Sequence, residues 1–140
     1  MKEYRPISSL RDALSLLTPR LYAWAALACY LSMIVLGSIP GQAESLSEVV
    51  HDKMLHFVAY GVLSVLVYGA VRGRLWVRGI GTIAVVGLLG AIDEGIQSFL
   101  PYRQASWADW QVDLIAALLT VTVMTTLQVA QPRRGRGPLL

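Results

Sequence analysis

Four apolar stretches of 18 to 22 residues occupy most of this chain and limit what it can fold into. A helix needs about 20 residues to cross the hydrocarbon core of a bilayer. Lipid offers no partner to an open backbone N–H or C=O group, so such segments must be helical. The pattern therefore predicts an all-α, integral membrane four-helix bundle with short loops. The predicted spans run from about Tyr22 to Ile39, Met54 to Val71, Gly79 to Leu100 and Asp109 to Ala130.

Composition excludes an ordinary soluble domain. The chain is 55% hydrophobic and 15% charged, whereas soluble domains carry about 25% charged residues. Helix-breaking residues fall between or after the spans, at Pro40, Pro101 and Pro132. Apolar residues at helical spacing ahead of Pro19 favour a short amphipathic helix on the membrane surface, with a frayed tail as the alternative. The predicted domains are a tail at 1–20, the membrane domain at 21–130 and a basic tail at 131–140.

The distribution of charge predicts the orientation. Ten of the 12 basic residues lie in the two tails and in the loop between the second and third spans, and only Lys53 and Arg103 lie on the other side. Loops rich in Lys and Arg usually stay on the cytoplasmic side of the membrane. Both termini are therefore expected in the cytoplasm, in a multi-pass protein of the cell membrane. The net charge of +3 is explained by this basic rim and requires no nucleic-acid partner.

Polar residues gather near the predicted outer ends of three helices. An acid in mid-membrane costs about 2.5–3.5 kcal/mol, so such groups should face the bundle interior. Ionisable groups at one depth in three helices predict a site open to the outer surface, and structural ion pairs that hold the helices together are the alternative. The predicted ligand-binding residues are Asp52, Lys53, His56, Tyr60, Asp93, Glu94, Gln97, Arg103, Asp109 and Asp113.

Two runs of these residues resemble a known family. Residues 52–61, DKMLHFVAYG, resemble the D-K-x-x-H-F-x-x-Y signature of VanZ-like membrane proteins, and residues 93–103, DEGIQSFLPYR, resemble that family's D-E-x-x-Q-x-F-x-P-x-R. Asp109 matches the acid that heads the family's last helix. Two positions depart from the pattern, because Asp113 and Ala116 stand where the family usually has Asn and Gly.

The founding member of the VanZ-like family confers low-level resistance to teicoplanin, a glycopeptide that targets cell-wall precursors at the outer membrane face. The resemblance implies a site that binds a cell-envelope lipid headgroup, a cell-wall precursor or a glycopeptide. Membrane lipids are the expected partners, no cofactor is predicted, and the oligomeric state is left open. In this interpretation Lys53, His56 and Arg103 contact phosphate or carboxylate groups, and the acids orient these cations.

Two other functions are consistent with the residues. An intramembrane enzyme acting on a lipid-linked substrate would use His56, Asp93 or Glu94 as acid and base. Such an enzyme could instead hold a divalent metal with His56, Asp93, Glu94 and Asp109. A proton-coupled transporter or channel is disfavoured, because the inner halves of the predicted helices are almost wholly apolar.

Overall fold

The computed structural model describes residues 19–40, 52–103 and 105–130. These residues form α1 (Pro19–Gly37), α2 (Asp52–Ala70), α3 (Leu75–Gln97) and α4 (Trp107–Val129). Each helix is long and apolar enough to cross a membrane, which indicates a multi-pass membrane protein. The predicted all-α architecture with four spans is confirmed, and the helix ends lie within four residues of the predicted ones. The predicted amphipathic helix and the basic tail at 131–140 lie outside the described residues.

All four helices contribute residues to the core. Helices α2, α3 and α4 all contact one another, whereas α1 packs mainly on α2. The outward faces are covered by large apolar side chains such as Trp24, Ile80 and Leu88, each more than 60% exposed, as suits contact with lipid. The buried core residues are Ala26, Tyr30, Tyr60, Leu63, Val67, Val86, Ala116 and Ala117.

Contacts along its length hold α1 in place. At Gly69 of α2, a Cβ atom would lie 2.5 Å from the ring of Tyr22, so only glycine permits this approach. Farther along, the Tyr30 hydroxyl donates to the carbonyl of Leu89 in α3 at 3.0 Å. Tyr102, in the loop between α3 and α4, donates to the carbonyl of Ser38 at 2.6 Å. This loop is thereby tied to the end of α1.

The two ends of the bundle carry different polar groups. The end where α2 and α4 begin and α3 ends is called the site end here. At the opposite end, α3 begins at Leu75 rather than near Gly79, so Arg78 lies inside the helix and not in the predicted loop. The charged side chain of Arg78 is accommodated within the helix by hydrogen bonds. Its Nη2 and Nε atoms donate to the Tyr68 carbonyl at 2.8 and 3.3 Å.

Arg78 joins three helices at this opposite end. Its Nη1 atom donates to Oε1 of Gln128 at 3.1 Å, and its guanidinium lies 4.2 Å over the ring of the fully buried Tyr68. The Tyr68 carbonyl belongs to the last turn of α2, where helix geometry leaves carbonyl oxygens without intrahelical partners. Arg78 therefore caps α2 while it contacts α4 at the end of the bundle opposite the site end.

Candidate functional site

Three side chains of α2 each contact an acid on a neighbouring helix. Lys53 Nζ donates to Asp109 Oδ1 of α4 at 3.1 Å, and the Tyr60 hydroxyl donates to Asp93 Oδ2 of α3 at 3.1 Å. Between them, His56 Nδ1 lies 3.0 Å from Asp113 Oδ1 of α4. Residues three and four apart share one helix face, so a single face of α2 makes all three contacts.

The pair of His56 and Asp113 is buried inside the bundle. Their side chains are 8% and 0% exposed. The imidazole is stacked almost parallel on the Tyr60 ring, with 5.8 Å between centroids and 4° between planes. Asp113 Oδ2 is pressed against Gly90, where a Cβ atom would lie 2.8 Å from that oxygen. The ring of His56 is therefore held in one orientation, with Nδ1 toward the carboxylate.

Glu94 connects these contacts to the start of α4. Its Oε2 atom accepts a hydrogen bond from the backbone N–H of Ser106, the residue that precedes the first turn of α4. A carboxylate at a helix N-terminus is stabilised by the open N–H groups and by the helix dipole. Its Oε1 atom is buried and has no hydrogen-bond partner among the described residues. Glu94 thus retains one buried carboxylate oxygen for a further contact.

Gln97 and Arg103 form the remaining contact at the site end. Arg103 Nη2 donates to Gln97 Oε1 at 3.0 Å, while Arg103 Nε is buried without a partner in the described part of the chain. Asp52 is the first residue of α2, and its side chain lies outside the described residues. The structure therefore brings the other nine predicted site residues to one end of the bundle. Together they are called the polar cluster. Their role in ligand binding stays a prediction.

Three residues on three helices are arranged so that they could hold a metal ion. The ligand atoms of His56, Glu94 and Asp109 all lie within 4.8 Å of one another. Asp93, which the sequence also suggested as a ligand, is absent from this group, and its Oδ2 accepts the hydrogen bond from Tyr60. The structure thus separates the two adjacent acids of α3, because neighbouring helix positions point in directions about 100° apart.

A groove between α3 and α4 adjoins the cluster. It encloses about 470 Å³. One wall carries Trp110, whose Nε1 donates to the Gly87 carbonyl at 2.9 Å and whose ring meets Trp107 edge to face. Glu94 belongs to both the groove and the polar cluster. The lining residues are Ala91, Glu94, Gly95, Ser98, Ala105, Ser106, Trp107 and Trp110.

Sequence reasoning did not find this groove. Trp107 and Trp110 near the start of a predicted span are typical of interfacial aromatic residues. Ala91 is typical of a point of close helix approach, whereas it is exposed in the groove. The available signal was the small pair Ala91 and Gly95, four residues apart on the helix that carries Glu94. Small residues at that spacing usually mark helix packing, so the pattern alone favoured the wrong role for Ala91.

No family model matches this chain. Searches among curated proteins and solved structures likewise find no significant match. The resemblance to VanZ-like proteins therefore rests on the two motifs alone and stays a prediction.

Proposed function

We propose that this chain is a VanZ-like membrane protein whose polar cluster binds the headgroup of a cell-envelope lipid. The observation that carries the proposal is the position of Glu94, which belongs both to the polar cluster and to the wall of an apolar groove. An amphiphile fits such a combination, with its headgroup at the cluster and part of its chain along Trp107 and Gly95. Binding sites for small molecules commonly combine an apolar wall with a few polar groups in this way.

The polar cluster offers both positively charged and negatively charged side chains to a headgroup. Lys53 is 59% exposed although it pairs with Asp109, so its ammonium group can also reach a ligand. Arg103 has a planar fork that suits phosphate or carboxylate. The carboxylates accept hydrogen bonds from sugar, amine or amide groups. These groups favour a lipid headgroup or a lipid-linked cell-wall precursor, and a glycopeptide is the third ligand implied by the resemblance.

The site end is proposed to face the outside of the cytoplasmic membrane, because the basic residues gather in the loop and tails at the other end. We expect a membrane-impermeant maleimide to label Ser47→Cys in intact cells and Ser8→Cys only after permeabilisation. Both variants would be made in a Cys29→Ala background, since Cys29 is the single native cysteine. Labelling of Ser8→Cys, but not Ser47→Cys, in intact cells would place the site inside and reject the outward orientation.

Lipid binding is tested by filling the groove. At Gly95, an added Cβ atom meets nothing within 4 Å, so Gly95→Phe should fold and place its ring in the groove. We expect it to bind lipid about tenfold more weakly than wild type, which corresponds to about 1.4 kcal/mol. The control is Leu88→Phe, which adds a ring at an exposed position of the same helix that does not line the groove.

The probes are phosphatidylglycerol, phosphatidylethanolamine, a polyprenyl diphosphate and teicoplanin, titrated into purified protein in a mild detergent. Native mass spectrometry counts the bound molecules, and the melting temperature of each variant confirms that it is folded. Preferential binding of one lipid would name the headgroup class, and preferential binding of teicoplanin would favour the glycopeptide. Equal binding of every lipid by Gly95→Phe and Leu88→Phe would contradict the proposal.

A second candidate function is favoured by the contact of His56 with Asp113. An imidazole oriented by a carboxylate is a common arrangement for a general base. In an enzyme acting on a lipid-linked substrate, His56 would move the proton and Asp113 would hold the ring. Mass analysis of the lipid after incubation separates the candidates, because catalysis yields a product of new mass and binding alone returns the lipid unchanged.

A further inference from the structure

We propose that His56, Glu94 and Asp109 form a binding site for a divalent transition-metal ion. One ligand comes from each of α2, α3 and α4, and the three ligand atoms lie within 4.8 Å of one another. Around a tetrahedral zinc ion with bonds of about 2.1 Å, ligand atoms lie about 3.4 Å apart. Small changes in side-chain torsion angles would therefore close the site. The proposal concerns an ion rather than a lipid and stands apart from the proposed function.

The contact between His56 and Asp113 is what a metal-binding histidine requires. A histidine that ligates a metal almost always donates its other ring N–H group to a carboxylate or carbonyl, which sets the tautomer and the ring direction. Here Nδ1 lies 3.0 Å from an oxygen of the fully buried Asp113, so a metal at this residue would be held through Nε2. The stacked Tyr60 ring restricts rotation of the imidazole. Asp113 is accordingly assigned as the positioning residue.

Glu94 provides an observation independent of the distances. Its Oε1 atom is buried without a hydrogen-bond partner in the described part of the chain, although its other oxygen is held by the N–H group of Ser106. A buried carboxylate oxygen that lacks a partner is costly. A metal ion at Oε1 would remove this cost. Because Ser106 holds Oε2, the carboxylate is already oriented and would bind the ion through one oxygen.

The balance of charge at the site end also favours a cation. Four acids meet there, namely Asp93, Glu94, Asp109 and Asp113. Lys53 forms an ion pair with one oxygen of Asp109 and the His56 imidazole contacts Asp113, whereas Arg103 bonds to the uncharged amide of Gln97. Burying several carboxylates together is unfavourable unless positive charge compensates for them. A divalent ion would supply that charge between Glu94 and Asp109.

The ligand types indicate which ions fit. Imidazole binds zinc and other late first-row metals, whereas carboxylates also bind manganese and magnesium. One imidazole with two carboxylates therefore favours Zn²⁺ or Mn²⁺ over Mg²⁺. Three protein ligands leave at least one coordination position for water or a ligand, as in zinc sites that perform chemistry rather than hold a fold. Such an ion would also let this acidic cluster accept an anionic headgroup.

The test measures metal directly. The full chain would be purified with a tag that contains no histidine, stripped with a chelator, and titrated in detergent with Zn²⁺, Mn²⁺ and Mg²⁺ by calorimetry. Elemental analysis would give the bound metal per chain. We expect one Zn²⁺ or Mn²⁺ ion per wild-type chain and at least hundredfold weaker binding by Glu94→Gln. Asp113→Asn should bind about 10- to 100-fold more weakly, because an outer-shell partner has changed.

Asp93→Asn is the matched control, because it removes the neighbouring acid of the same helix without removing a proposed ligand. It should bind metal at most about tenfold more weakly than wild type, because it removes one negative charge near the ion but no ligand. The metal should raise the melting temperature of wild type and Asp93→Asn but not of Glu94→Gln, whose metal-free melting temperature shows whether it is folded. Equal loss of binding in Asp93→Asn and Glu94→Gln, or equal metal in wild type and Glu94→Gln, would overturn the assignment. Gly95→Phe should bind metal as wild type does. A failure of the lipid proposal can therefore be distinguished from a failure of the metal proposal.

Discussion

Replacement of Asp113 by alanine is expected to lower the free energy of unfolding by about 2–3 kcal/mol, because it leaves the buried ring N–H of His56 without an acceptor. The loss arises because His56 Nδ1 would face a cavity in place of a carboxylate oxygen at 3.0 Å. The position is fully buried and pressed against Gly90, so water cannot easily compensate. Unfolding in one detergent would be followed by circular dichroism and by reaction of a thiol dye with half-buried Cys29.

Asp113→Asn is the comparison that isolates the role of the contact. The amide keeps the size of the side chain and one oxygen that can accept from Nδ1–H, so we expect a loss of about 1 kcal/mol, the size of a single altered hydrogen bond. If alanine and asparagine destabilised the protein equally, or if neither did, the pair would not hold α2 and α4 together.

Arg78→Ala is expected to lower the free energy of unfolding by about 3 kcal/mol, because hydrogen bonds from a charged donor each contribute about 1.5–3 kcal/mol. The substitution removes the donors to Tyr68 and Gln128 as well as the cation–π contact with the Tyr68 ring. It thereby opens the last turn of α2 and loosens α4. The same unfolding measurement as for Asp113 would give the magnitude.

Arg74→Ala is the matched control for Arg78. Arg74 is exposed just before α3 and makes no side-chain capping bond. Both variants remove one positive charge from nearly the same place, so any effect of charge on membrane insertion is shared. Arg78→Lys keeps the charge but loses the planar fork, and an intermediate loss is expected. Equal destabilisation by Arg74→Ala and Arg78→Ala would mean that charge, and not the capping contact, accounts for the effect.

The four long helices and the gathering of polar residues at one end of the bundle were predictable because both depend on local properties. Apolar length predicts a membrane helix wherever lipid forbids unpaired backbone groups. His56 and Tyr60 share a face because they are four residues apart, and Asp109 and Asp113 do so for the same reason. The cost of exposing an acid to lipid predicts that Asp93 and Glu94 turn inward. These arguments need no knowledge of how the helices pack.

The choice of partners was not predictable in the same way. A sequence shows that acids and cations occupy one end, but the rotation of each helix about its axis determines which groups touch. Asp113 was noted from the sequence mainly as a departure from a family pattern, and the structure places it beside His56 as the most buried acid of the cluster. Arg78 was assigned to a loop, since nothing in its neighbours shows that it would fold over Tyr68.

The sequence by itself therefore determined that this protein forms four helices long and apolar enough to cross a membrane, with polar groups gathered at one end. The reason is that hydropathy, helical spacing and the cost of burying charge can each be evaluated from one stretch of sequence, without knowledge of its neighbours. Only the tertiary structure decided which groups are in contact. Tyr60 donates to Asp93, Glu94 accepts from Ser106 and lines the groove, and His56 lies beside Asp113. Those pairings depend on side chains from different helices reaching within about 3 Å of one another, a distance that only the packing of the helices sets.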